Sequence, residues 1–251
     1  MMFKRIWNKV LDYQSIFILL ILWEVVAALG IMPERLFPSM FVVFGVAYDL
    51  ALSSMLWDNL SVTMVRVLSG FTISAIIGVP LGIMMSRFNL MNKLMQPMLS
   101  IGYPIPRVAL YPILVFMLGI GSGSKIFLIV LECLFPIIIN TYYGALRVNH
   151  IYLWASQNMG ANHYKMFWKV LLPATAPAIF TGLRIALPLA LIISILTEMI
   201  SSTEGMGYLL SFMSSSLVQV NVLATVLLIA IVGYLMSIIL DVIQKKFVFW
   251  H

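Results

Sequence analysis

The chain has 251 residues, of which 62% are hydrophobic and 10% charged, against roughly 25% charged residues in soluble domains; it cannot cover itself with polar surface. Its net charge of +6 and single cysteine come without a basic run interleaved with aromatics and without disulfide or metal-ligand spacing, so neither nucleic acid nor a cysteine framework is indicated. The apolar residues fall into runs long enough to cross roughly 30 Å of hydrocarbon at about 1.5 Å per residue.

In chain order, a basic N-terminus precedes the first apolar run, 15–32. That run holds Trp23 and Glu24 and is followed by no small-residue cleavage site, so a retained helix is expected rather than a secretory signal. Within the spacer 33–59, the stretch 40–57 is interrupted by Asp49, Ser53 and Ser54 and followed by Asp58. An outer helix lying on the membrane surface is expected there, not a seventh span. Further spans are expected at 60–85, 97–118, 126–146, 174–199 and 220–243. The fold class is therefore all-α, a polytopic membrane protein of about six transmembrane helices.

Charge sets the orientation. With a cytoplasmic N-terminus, the inner segments hold Lys4, Arg5, Lys9, Arg87, Lys93, Arg147, Lys165, Lys169, Lys245 and Lys246, ten of the fifteen Lys and Arg. The outer segments hold Arg35 and Lys125 beside Glu34, Asp49, Asp58 and Glu204. The positive-inside rule then places both termini in the cytoplasm.

The third span contains Pro97, Gly102, Pro104, Pro106 and Pro112, and each proline removes a helix hydrogen bond. The helix is expected to break or kink, which makes Pro104, Pro106 and the following Arg107 candidates for a pathway lining; a tight packing kink is the alternative. Charges inside spans are expensive unless paired or hydrated. Arg66 and Arg184 suit snorkelling or helix-to-helix pairing, Arg107 an anionic substrate, and Glu198 a gate or a structural partner. The glycine-rich turn 119–125 lacks the Gly-Lys-Ser/Thr ending of a phosphate loop and is expected to be a flexible turn. Cys133 reads as a small buried apolar residue, and His150, His163 and His251 have no metal-ligand spacing. No nucleophile, base or metal set converges, so no catalytic residue is expected.

The longest inner loop, 147–173, reads as a helix-turn-helix: Gly160 ends one helix in the left-handed conformation, Asn162 caps the next, and Pro173 stops it before the fifth span. Small Ala155, Ser156, Gly160 and Ala161 leave a surface on which another protein can sit closely, while Tyr164, Phe167 and Trp168 can anchor the second helix against the membrane domain or interface; a merely solvated connector is the alternative.

At these residues the chain resembles the permeases of ATP-binding-cassette importers, whose inner loop carries Glu-Ala-Ala, then Gly, nine residues, a branched apolar residue, any residue, Leu and Pro. Gly160, Val170, Leu172 and Pro173 fit that spacing, whereas Trp154 stands for the glutamate and Ser156 for the second alanine. Further traces are similar to the nitrate/sulfonate/taurine-type subfamily: Leu22-Trp23-Glu24, Leu36-Phe37-Pro38-Ser39, Arg66 to Phe71, Pro104-Ile105-Pro106, Thr181 to Arg184 and Gly205-Met206-Gly207-Tyr208.

The resemblance implies a type I importer permease fold forming one domain over 1–251, with an N-terminal helix and outer segment at 1–59, core spans at 60–243 and an ATPase-coupling loop at 147–173. It implies a second permease copy forming a homodimer, two cytoplasmic ATPase subunits and an extracytoplasmic substrate-binding protein in a bacterial inner membrane with its lipid. No cofactor is expected in this chain, ATP and magnesium belonging to the ATPase partners. The substrate class implied is a small anion such as a sulfonate or nitrate, moved by alternating access. A self-sufficient secondary transporter or channel is the rival, and it needs no docking loop.

Overall fold

The computed structural model describes residues 14–248, so Lys4, Arg5, Lys9 and His251 lie outside the described residues. The helices are α1 (Gln14–Ala28), α2 (Met40–Leu52), α3 (Ser54–Arg87), α4 (Asn89–Gly102), α5 (Tyr111–Leu118, entered through a 3₁₀ turn at Arg107–Leu110), α6 (Ser122–Leu146), α7 (His150–Asn158), α8 (His163–Ser201), α9 (Met206–Ser215) and α10 (Gln219–Phe247). Among the described residues there is no strand. Helices α3, α6, α8 and α10 are each long and apolar enough to span a membrane, and α4 with the helix ending at Leu118 is long and apolar enough only as a pair, bent by 91°, either a broken fifth span or a re-entrant loop. With apolar α1, this agrees with about six spans. Helix α2, at 13 residues, is too short to cross.

Two compact units can be distinguished: the chain up to Asp58 with Leu209–Ala230, and Asn59–Tyr208 with the chain from Ile231. In the first, α1 and the segment before α2 are locked together. The Trp23 indole donates to Pro38 O at 3.0 Å and its ring stacks on Phe37 at 4.1 Å. Glu24, a carboxylate on an apolar helix, accepts from Ser39 Oγ at 2.8 Å and from the Met40 N–H at 3.0 Å. It therefore meets the N-terminal, partially positive end of α2, where free N–H groups need acceptors. Val43 and Ala47, one turn apart, then pack on Ala224 of α10.

In the second unit small residues set the helix separation. Lipid offers no hydrophobic drive between helices, so close backbone approach and dispersion must hold them together. On α3, Gly70, Ser74, Gly78 and Gly82 recur every fourth residue. A Cβ at Gly70 would lie 2.5 Å from Ile129, at Gly78 2.9 Å from Ile137, and at Gly82 2.7 Å from Thr141, all on α6. The Ser74 hydroxyl reaches Val130 O at 3.2 Å. The pairing of α6 with α8 is also extensive, and there Gly144 faces Ala178 while Gly182 faces the backbone of Pro136.

Two expectations are corrected. Pro173 does not stop the loop helix before the fifth span, because α8 runs from His163 to Ser201 through a π turn at Phe167–Leu171. A proline cannot donate to the preceding turn, and a widened turn just before it absorbs the missing bond. The turn 119–125 is not a loose connector at its end: Lys125 is 1% exposed and its ammonium donates to Ile120 O at 2.7 Å and Ser201 O at 3.0 Å. Ser201 O lies at the partially negative C-terminus of α8, which a buried cation satisfies.

Candidate functional site

The first candidate is the loop carrying α7. The Asn149 side chain caps α7 by accepting from Ile151 N at 2.9 Å. At its other end Gly160 has φ +79°, with Gly160 N donating to Gln157 O and Ala161 N to Ser156 O. That pair of bonds closes a helix through a left-handed residue, which glycine adopts without a Cβ clash. The Asn162 side chain accepts from Lys165 N at 2.9 Å and starts α8. Leu153 is the buried residue of α7 and lines a small cavity with Ile83, Phe167 and Leu171. Trp154 is 63% and Met159 87% exposed, with Ala155 and Gly160 also exposed and Ser156, Ala161 and Pro173 half-buried. Ile151, Tyr152, Tyr164 and Trp168 add to this exposed apolar surface.

The second candidate is the break between α4 and α5. Tyr103, Pro104, Ile105 and Pro106 are exposed, whereas Arg107 is turned inward. Its guanidinium donates to Tyr103 O at 3.2 Å and Gly102 O at 3.4 Å, the carbonyls freed where α4 stops. It also pairs with Glu132 of α6 at 2.9 Å and lies 4.0 Å over the Phe135 ring. Phe135 occupies the space where a Cβ on Gly102 would stand, 2.8 Å away. Arg107 thus braces the bend, and its Nε has no partner among the described residues.

The third feature surrounds Glu198, which is completely buried. Its carboxylate accepts from the Thr63 hydroxyl at 2.9 Å, Arg66 at 3.0 Å, the Ser194 hydroxyl at 3.1 Å and the Gly207 N–H at 2.9 Å. Arg66 reaches on to Glu204 at 2.8 Å and to the Ser122 hydroxyl at 3.0 Å. Glu198 is placed among protein groups and Pro104 and Pro106 at a surface.

Comparison with known proteins decides the family. The sequence model of the family described as "Binding-protein-dependent transport system inner membrane component" matches residues 78–249. The chain belongs to that family. Among its relatives, the taurine transport system permease protein of Escherichia coli strain K12 is 28% identical over 246 residues, covering 96% of this chain and 90% of the relative. The formylaminopyrimidine transport permease protein of Halalkalibacterium halodurans is 31% identical over 217 residues, covering 85% and 86%. An inward-facing methionine ABC transporter, MetNI, matches in fold with a TM-score of 0.60 at 20% identity over 84% of this chain and 98% of that one.

In this permease the short sequence traces are tertiary partners. Leu22-Trp23-Glu24 closes on Phe37-Pro38-Ser39, and Arg66 meets the Gly205-Met206-Gly207 turn through Glu198. Arg184 pairs with Asp241 at 2.7 Å and with Gln244 at 2.6 Å. Sequence reasoning missed Asn59, Thr63, Ser194, Glu132 and Asp241 as partners. A usable signal existed, because every charge on an apolar helix demands an opposite charge or a set of donors on a neighbour.

Arg107→Ala is expected to lower both the melting temperature of the purified permease and ATP-dependent uptake. It strands Glu132 and leaves Tyr103 O unmet, while Gly102 O keeps the Ile105 N–H at 3.3 Å; each group left without a partner costs about 1–3 kcal/mol if it stays dry. Unchanged melting with lost uptake would instead mark Arg107 as a pure substrate contact.

Proposed function

We propose that the chain is the membrane-spanning permease subunit of an ATP-driven importer of a small anion, and that two identical copies form the pathway. Two ATPase subunits sit against the α7 loops and bind the ATP and magnesium, and a binding protein delivers substrate at the opposite end. The excess of Lys and Arg on the α7 side puts that loop in the cytoplasm and both termini with it. The observation that carries this reading is α7 itself, a short helix anchored by Leu153 and presenting Trp154 and Met159 outward. A self-sufficient secondary transporter has no use for such a surface.

An anionic substrate, with a sulfonate as the leading class, is supported by the names of the taurine relative and of an aliphatic sulfonates permease of Escherichia coli that is 28% identical over 229 residues. It is also supported by a cleft of about 790 Å³ beside α7, lined by Asn140, Tyr143, Arg147, Tyr152 and Thr181 among others. Arg147 has no ion pair among the described residues. We place the pathway along this cleft and the exposed Pro104 to Pro106 segment, with Arg107 shaping it from behind.

The test is Gly160→Glu in the reconstituted complex. The substitution forces a side chain into a left-handed conformation at about 1–2 kcal/mol and puts a charge into the docking face. Loss of a contact worth about 2 kcal/mol lowers binding-protein-stimulated ATP hydrolysis and uptake by more than about tenfold. Undiminished stimulation would overturn the docking assignment.

A further inference from the structure

Helix α9 does not cap itself. Its N-terminal turn is held by side chains from α3 and α8: Gly205 N donates to Asn59 Oδ1 at 2.8 Å, Met206 N to Thr63 Oγ1 at 2.8 Å, and Gly207 N to Glu198 Oε2 at 2.9 Å. A carboxylate at the partially positive end of a helix is favourably placed. The turn is shaped around that carboxylate. Gly205 has φ +107°, and a Cβ on it would lie 2.5 Å from the carboxyl carbon of Glu198, while a Cβ on Gly207 would collide with Ile195 O. Behind Glu198, Arg66 joins α3 to Glu204 and to Ser122 at the start of α6. Lys125 of α6 and Tyr111 of α5 both bind Ser201 at the end of α8, the latter at 2.6 Å.

We propose that this cluster is a permanent joint of the transporter, neither a gate nor a substrate site. It stays closed through the whole cycle, and it makes the adjoining ends of α3, α6 and α8 and the first turn of α9 move as one body. Alternating access then opens along other faces. Three properties carry this. Glu198 is fully enclosed, so no substrate reaches it. Its oxygens accept from four partners on three segments, so parting any one element leaves donors and a charge unmet in a dry interior. Arg66 pairs with both acids, Glu198 and Glu204, and Lys125 serves the carbonyl end of α8 at Ser201 O, so each charged group of the joint has its partner inside it. Glu198 is on this account a positioning residue.

The inference rests on the importer reading, and the experiment separates the two. The full complex of permease, ATPase and binding protein is reconstituted, and hydrogen exchange of the peptide spanning 203–209 is followed by mass spectrometry without nucleotide and after vanadate trapping. Binding-protein-stimulated ATP hydrolysis in the same preparation reports the importer reading, and its absence would sink that reading alone. The joint predicts equally slow exchange at Gly205, Met206 and Gly207 in both states; faster exchange in either state overturns it. Glu198→Gln gives a second measure. Uptake and stimulated ATP hydrolysis should fall together, with KM and the ATP consumed per substrate unchanged. A changed KM would make Glu198 a pathway group, and ATP hydrolysis freed from the binding protein would make the cluster a gate.

Discussion

Replacing Arg66 by alanine is expected to destabilise the permease by about 3–5 kcal/mol, the usual cost of removing one partner of a buried ion pair. The cost comes from what stays behind. Glu198 is wholly buried with Arg66 as its counter-ion at 3.0 Å, and the two hydroxyls and one N–H that remain are neutral donors. Glu204 is 57% exposed, so its share of the loss is that of a surface pair, at most about 1 kcal/mol. The double variant Arg66→Ala, Glu198→Gln should recover part of the loss, because the stranded charge is gone. Thermal unfolding of the solubilised permease reads both. A single variant as stable as the parent, or a double variant that loses the sum of the two singles, would show that the pair is not coupled.

Much of the architecture was legible because the bilayer is a strict solvent. Long apolar runs crossing it are read directly from composition, and Pro104 and Pro106 locate a break that appears as a 91° bend. Local chain signals were equally readable: Gly160 takes φ +79° and Asn162 caps the next helix as the loop sequence suggests. These features depend on a few consecutive residues, and consecutive residues are what a sequence displays.

Pairings across helices were not legible in the same way. Arg66 and Glu198 are 132 positions apart, and nothing local tells a snorkelling arginine from one with a buried acid opposite. Arg107 looked free for an anion because its partner Glu132 lies on another span. Lys125 looked solvated because it follows a glycine-rich turn, whereas the end of α8 at Ser201 draws it inside. Pro173 misled for a different reason: a π turn, invisible as a residue pattern, lets the helix continue through it. The loop's atypical Trp154 is exposed and lies on the face proposed for the ATPase.

Gly82→Leu is expected to have the other large effect, acting on packing alone. At Gly82 the first added carbon would lie 2.7 Å from Thr141 Cβ and 2.8 Å from Ile138 O. Neither can withdraw: Thr141 is fully buried and Ile138 O belongs to the backbone of α6. A leucine must therefore push α3 off α6 along the row formed by Gly70, Ser74 and Gly78, and overpacking of this kind costs about 1–3 kcal/mol or more. Replacing a helix glycine returns about 0.5–1 kcal/mol of backbone entropy, too little to offset displacement of a whole helix. Gly45→Ala on α2 is the matched control, since nothing lies within 4 Å of the added carbon there, and it should gain that entropy. Thermal unfolding and uptake of both variants decide the matter: a Gly82→Leu permease that melts with the parent would mean that the α3–α6 contact is not the close-packed seam on which the second unit rests.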